Sequence, residues 1–99
     1  MLTKRQQKLY DSFYESTHRN EYLDQKTEVL VGLSAALAMN CSPCTGYYLE
    51  QAKKADITKG EISEVLAKVM AVAAGQKRLQ MQEVLGHSET DVDSNEKEH

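Results

Sequence analysis

The sequence predicts an all-α fold, and three observations carry that expectation. No segment alternates apolar and polar residues as a half-buried strand would. Apolar residues instead recur at spacings of three and four. Strong helix formers dominate, and the 99 residues include a single proline. A chain of this length forms one domain with one modest core, burying roughly 60–65% of its unfolded surface.

The elements follow in order. Residues 4–17 place Leu9, Tyr10, Phe13, Tyr14 and Thr17 on one stripe of an amphipathic helix. The polar run His18, Arg19, Asn20 and Glu21 is a connection, with His18 expected as a surface residue at the helix end. Asp24 is placed to cap a second helix, which reaches about Asn40 and has Glu28 in its first turns. Between Val29 and Met39 only Gly32 and Ser34 interrupt the apolar residues. A helix apolar nearly all round must be enclosed on several sides, which a chain this short cannot do alone. A homo-oligomer is therefore expected. A third helix begins near Ser42 and Pro43, where a proline lacks no needed N–H, and runs to about Ala55. Asp56 and Ile57 break it. Thr58 and Glu61 then match a capping box that opens a fourth helix through Ile62, Val65, Leu66, Val69, Met70 and Val72 to Ala74. Gly75 is expected to stop or bend it, with helical character resuming over 76–85 and Gly86 closing the folded part.

Charge separates a folded region, 1–86, from an acidic tail, 87–99. The tail carries five acids against Lys97, a net −4, so the first 86 residues hold +1 of the total −3. Such a tail is a solvated appendage. The overall balance gives no reason to expect nucleic acid as a partner. The longest apolar run is shorter than the ~20 residues that span a bilayer, and the first residues lack the apolar region of a signal peptide. No membrane partner and a cytoplasmic location are the expectations.

The chemistry rests on Cys41-Ser42-Pro43-Cys44, which holds both cysteines of the chain. Two thiols three positions apart at a helix start can act as a redox pair, because the helix amides and dipole favour a thiolate there. Other readings are half of a zinc site, a pair of inert packing cysteines, or a structural disulfide. Zinc normally takes four ligands. His18, His87 and His99 lack partner spacing, so zinc would need two subunits to pool cysteines. A structural disulfide is disfavoured by a reducing cytosol and by the small loop it would close. No cofactor is called for. Thioredoxin-like enzymes share the CxxC but need a strand before it, and an apolar helix stands there instead.

Several segments taken together carry a more specific signal. Leu23 to Thr27, Leu30 to Ala36, Asn40-Cys41-Ser42-Pro43-Cys44, Tyr47 and Thr58 to Ile62 occur in an order and spacing that resemble the carboxymuconolactone decarboxylase family. The closer likeness is to its alkylhydroperoxidase D-like branch, and it covers about residues 10–75. The resemblance implies an all-helical, oligomeric fold and a CxxC that reduces hydroperoxides or disulfides with electrons from a thiol reductant, protein or small molecule. It implies that Cys44 attacks and Cys41 resolves. It also implies a Glu twelve residues before the first cysteine and a His four after the second, relaying protons. Here those positions hold Val29 and Tyr48, and Glu28 lies one residue before Val29. A tyrosine, with a pKa near ~10, cannot replace histidine as a base at neutral pH. It can hydrogen-bond the Cys44 sulfur from one turn away. Asp56 stands where the family usually has Gly, a mild change because Asp tolerates left-handed geometry. Cys41, Cys44, Tyr48 and Glu28 are the candidate catalytic residues. The alternative is a non-enzymatic oligomeric scaffold or redox sensor that has lost the Glu/His relay. The decarboxylation in the family's name is not expected, since it does not call for a CxxC and no histidine lies near the motif.

Overall fold

Each of the four helices starts on a side chain that accepts one of its free amide protons. The computed structural model describes residues 1–87 and shows α1 (Lys4–Ser16), α2 (Gln25–Ala38), α3 (Ser42–Lys54) and α4 (Lys59–His87). Thr3 Oγ1 accepts from Gln6 N at 3.2 Å, and the Gln6 side chain accepts from Thr3 N at 3.0 Å. Asp24 Oδ1 accepts from Thr27 N at 2.7 Å. Cys41 Sγ accepts from Cys44 N at 3.3 Å. Thr58 Oγ1 accepts from Glu61 N at 3.1 Å while Glu61 Oε1 accepts from Thr58 N at 2.8 Å, the expected capping box. A cap of this kind contributes about 1 kcal/mol.

Two of the helix ends are as sharply defined. Asn40 and Asp56 are the two non-glycine residues with positive φ among the described residues, at 59° and 58°. In each case the following amide reaches back to close a Schellman turn. Cys41 N donates to Ala36 O at 2.9 Å and Asn40 N to Leu37 O at 3.2 Å. Ile57 N donates to Ala52 O at 3.0 Å and Asp56 N to Lys53 O at 3.3 Å. Asn and Asp reach the left-handed region more readily than other side chains do. The expected break at Asp56 is where it should be, and Ile57 turns in against Ala52, both buried.

The core lies along α2, which packs against α3 on one side and α4 on another. Val29, Leu33 and Ala36 of α2 are buried, with Ala52 of α3 and Ile57 before α4. Leu30, Tyr48, Ala55 and Ile62 close around them. The remaining face of α2 stays open, and Val31 is half exposed. No residue of α1 is buried, and its apolar stripe of Leu9, Tyr10, Phe13 and Tyr14 faces outward. The far half of α4 likewise exposes Leu79, Met81, Val84 and Leu85. The radius of gyration is 19.8 Å, whereas a compact chain of ~100 residues has about 13 Å.

One expectation about α4 needs correction. It runs unbroken through Gly75, and its described part reaches His87, one residue past Gly86. One glycine removes only ~1 kcal/mol of helix propensity, and the strong helix formers on both sides of Gly75 outweigh that. The proposed acidic tail, 87–99, lies outside the described residues save for the backbone of His87. Among the described residues no helix is long and apolar enough to cross a membrane.

A pH prediction arises from the caps. The amide of Thr27 holds the Asp24 carboxyl below its ordinary value of 3.8. The amide of Thr58, followed by the Lys26 ammonium, holds Glu61 below its ordinary 4.5. Lys26 Nζ stands 3.2 Å from Glu61 Oε2, tying the start of α2 to the start of α4. Both carboxyls have depressed values in the folded state, so their contribution is full above the unfolded values. It is lost as pH falls through the folded ones. Acid titration of the helical circular dichroism should show a loss of stability beginning near pH 4 and continuing below it. Asp24→Asn with Glu61→Gln, which keep a capping oxygen, should flatten that limb. An unchanged acid limb would show that other carboxyls set it.

Candidate functional site

The site is built where α2 hands the chain to α3. Asn40 in its left-handed conformation turns the backbone, so that Cys41 becomes the cap of α3 and Cys44 falls in the first helical turn. Ser42 and Pro43 fill the first turn between them, where proline's fixed φ suits the helix. Thr45 Oγ1 donates to Cys41 O at 2.9 Å and fixes the same corner. The two cysteines are joined as a disulfide, with Cα atoms 5.2 Å apart. Both residues are half-buried. Cys41 also lines an open hollow of about 420 Å³ together with Leu37, Asn40, Thr45 and Leu49.

The hydrogen bond from Cys44 N to Cys41 Sγ gives this sulfur a specific advantage. A thiolate at Cys41 would keep that amide as a partner and sit at the positive end of the α3 dipole. In thiol–disulfide exchange the sulfur with the lower thiol pKa leaves faster. The cap therefore favours Cys41 both as a leaving thiolate and as a nucleophile toward its neighbour.

One turn beyond Cys44, Tyr48 lies across α2. Its ring covers Gly32, where even a methyl group would overlap the ring carbons. Gly32 is thus required for the α2–α3 approach. Burial pushes the Tyr48 phenol above its ordinary value of 10.0, and the neighbouring Tyr14 and Glu28 push it further the same way. Tyr47 is raised by the same three causes in the same order, with Glu15 adding to them. Both phenols remain protonated at neutral pH. Tyr48 can donate a hydrogen bond and pass a proton along but cannot serve as a base, as its residue type implies.

Glu28, the acid in the first turn of α2, is largely shielded from solvent. Its side chain is only 15% exposed, and its Oε2 stands 3.5 Å from Nδ1 of His18, itself 20% exposed. This corrects the expectation for His18, which is no surface residue. Its ring meets Tyr14 edge-on at 4.7 Å between centroids, Tyr47 at 5.6 Å and Tyr48 at 6.5 Å. An imidazole therefore does lie beside the CxxC helix, although the sequence places none near the motif. A signal for it exists: His18 continues the stripe of Tyr10 and Tyr14 at intervals of four. His18 and Glu28 border a polar cleft of about 380 Å³ with Tyr47 and Gln51 of α3. The structure thus gathers Glu28, Tyr48 and the unforeseen His18 on one flank of α3, with the two cysteines at its start. Val29 points into the core. Among the described residues no three His, Cys, Asp or Glu side chains converge to hold a metal ion.

A helical domain with a capped CxxC at the start of its third helix defines a class. Residues 6–85 match the family model of the carboxymuconolactone decarboxylase family. The chain belongs to that family. The fold is also similar to the crystal structure of a protein from Methanobacterium thermoautotrophicum, a structural-genomics target, with a TM-score of 0.73 and 25% identity. That likeness covers 78% of this chain and 86% of the other. No curated protein matches the chain.

Proposed function

We propose that this protein is a thiol–disulfide oxidoreductase or weak peroxidase of the alkylhydroperoxidase D-like type, cycling Cys41 and Cys44 between dithiol and disulfide. The observation that carries the reading is the Cys41–Cys44 bond at a helix start whose amide is donated to Cys41 Sγ, in a chain of this family. Cys44, beside Tyr48, attacks the terminal oxygen of a hydroperoxide as a thiolate. The O–O bond breaks, Cys44 becomes a sulfenic acid, and the departing alkoxide takes a proton to leave as an alcohol. The capped Cys41 thiolate then attacks the Cys44 sulfur, forming the disulfide and releasing hydroxide, which is protonated to water. A dithiol reductant, protein or small molecule, attacks Cys44, expels Cys41 as the capped thiolate, and leaves as its own disulfide. Glu28 and Tyr48 flank the proton traffic. The cycle needs no bound cofactor and suits a reducing compartment such as the cytoplasm.

The working unit is a homo-oligomer. The open face of α2, the stripe on α1 and the far half of α4 leave more apolar surface uncovered than a monomer carries comfortably.

The test is mass spectrometry of the reduced protein after one equivalent of organic hydroperoxide. Loss of two hydrogens, with Cys41 and Cys44 linked, is expected. Sulfinic acid on one cysteine, or two untouched thiols, would instead favour the scaffold reading. Tyr48 and Val29 at the places where the resemblance implies His and Glu lend that rival its weight.

A further inference from the structure

Among the described residues, His18 combines a carboxylate partner with contacts to three aromatic rings. It is drawn from the connection after α1 onto the flank of α3, enclosed by three aromatic rings, and paired with a carboxylate that is itself largely buried. A carboxylate with so little exposure is helped by a partner, and this one is an imidazole, the side chain best suited to move a proton near neutral pH. Tyr48 stands between the two halves of the site. Its ring is 6.5 Å from that of His18, and it stands one turn from Cys44 on α3. Its phenol stays protonated, able to donate and accept at one oxygen.

We propose that His18, held by Glu28, is the base of a proton relay that acts on Cys44 through the Tyr48 hydroxyl. This inference rests on the oxidoreductase reading above and deepens it. As Tyr48 accepts the Cys44 thiol proton, it passes its own to His18, leaving a thiolate and an imidazolium beside Glu28. When the O–O bond of the hydroperoxide breaks, the same path returns one proton to the alkoxide. No proton is gained or lost over the step. His18 does not touch the sulfur, so its role is to position and move the proton rather than to react. The relay comes from a different segment of the chain than the CxxC helix.

The groups facing His18 are Tyr14 of α1, Glu28 of α2, and Tyr47 and Tyr48 of α3, with Arg19 bordering the same cleft. The experiment follows the rate at which the reduced full chain consumes cumene hydroperoxide, across pH 5.5 to 9. General-base contributions are typically ~100- to 10,000-fold, and a relay through a second residue should fall at the low end. His18→Gln and Tyr48→Phe should each slow the reaction about 30- to 100-fold at pH 7, with the loss shrinking toward pH 9 as hydroxide takes over. Because both break one path, the double variant should be no slower than either single one. Glu28→Gln, which preserves shape, should also slow the reaction and provides the test if His18→Gln does not fold. Losses that multiply in the double variant, or variants as fast as the wild type, would overturn the relay while leaving the redox reading intact. A wild-type protein that does not react with hydroperoxide would overturn both.

Discussion

Replacing Leu9 and Phe13 by glutamate should convert an assembled protein into monomers with a lower thermal midpoint. These side chains and the tyrosines beside them lie on α1, which contributes nothing to the core of its own chain. Among the described residues the buried apolar ones are Val29, Leu33, Ala36, Ala52 and Ile57, three of them on α2. Such a core is small for an extended chain with a 19.8 Å radius of gyration, and the proposed assembly would supply further stability through contact between copies. Burying a Leu or Phe side chain contributes roughly 1.5–3 kcal/mol, and placing a carboxylate in that interface adds a desolvation penalty of several kcal/mol. At 1.4 kcal/mol per tenfold, the double change should weaken assembly by about a thousandfold or more. Light scattering at micromolar concentration checks it. A wild-type protein that is already a stably folded monomer would contradict the assembly, and so would a variant that keeps its parent's mass.

Gly32→Ala should destabilise the protein although it improves helix propensity. Within an exposed helix the change would add about 1 kcal/mol of stability. Here the new methyl would overlap the Tyr48 ring, so that ring must swing away or α2 and α3 must part. Overpacking of this kind costs roughly 1–3 kcal/mol, and the site shares the strain because Tyr48 follows Cys44 by one turn. A fall of several degrees in thermal midpoint is expected, together with slower thiol reactivity. Gly75→Ala, whose methyl would meet nothing, is the control and should be neutral or stabilising. A Gly32→Ala protein as stable and as reactive as the control would show that Tyr48 is free to move.

What the sequence made legible was mostly local. Caps at Asp24 and Thr58, the proline in the first turn of α3 and the break at Asp56 depend on residues within four positions of one another, and all stand as expected. The turn at Asn40 follows the same logic of a left-handed residue after the last apolar position, although the side chain alone does not advertise it. Gly75 misled because a glycine marks an end only when no helix formers follow. His18 and Glu28 were hidden for a different reason. They are ten positions apart across a connection, and their meeting depends on how the end of α1 folds back onto α3. Reading His18 with the polar run after it, instead of with the Tyr10 and Tyr14 stripe before it, placed it in solvent. That no residue of α1 is buried in its own chain is likewise not written in its amphipathic pattern, which states that a face must be covered but not by what.

The central claim is that Cys41 and Cys44 turn over, and it is tested most directly by counting turnovers. The full chain is mixed with a tenfold excess of cumene hydroperoxide and a dithiol such as dithiothreitol, and peroxide loss is followed against the dithiol alone. The account predicts that each protein molecule reduces several equivalents of peroxide, and that Cys44→Ser and Cys41→Ser each abolish this repeated turnover. Peroxide loss no faster than with the dithiol alone, from a protein whose thiols are fully reduced at the start, would contradict it.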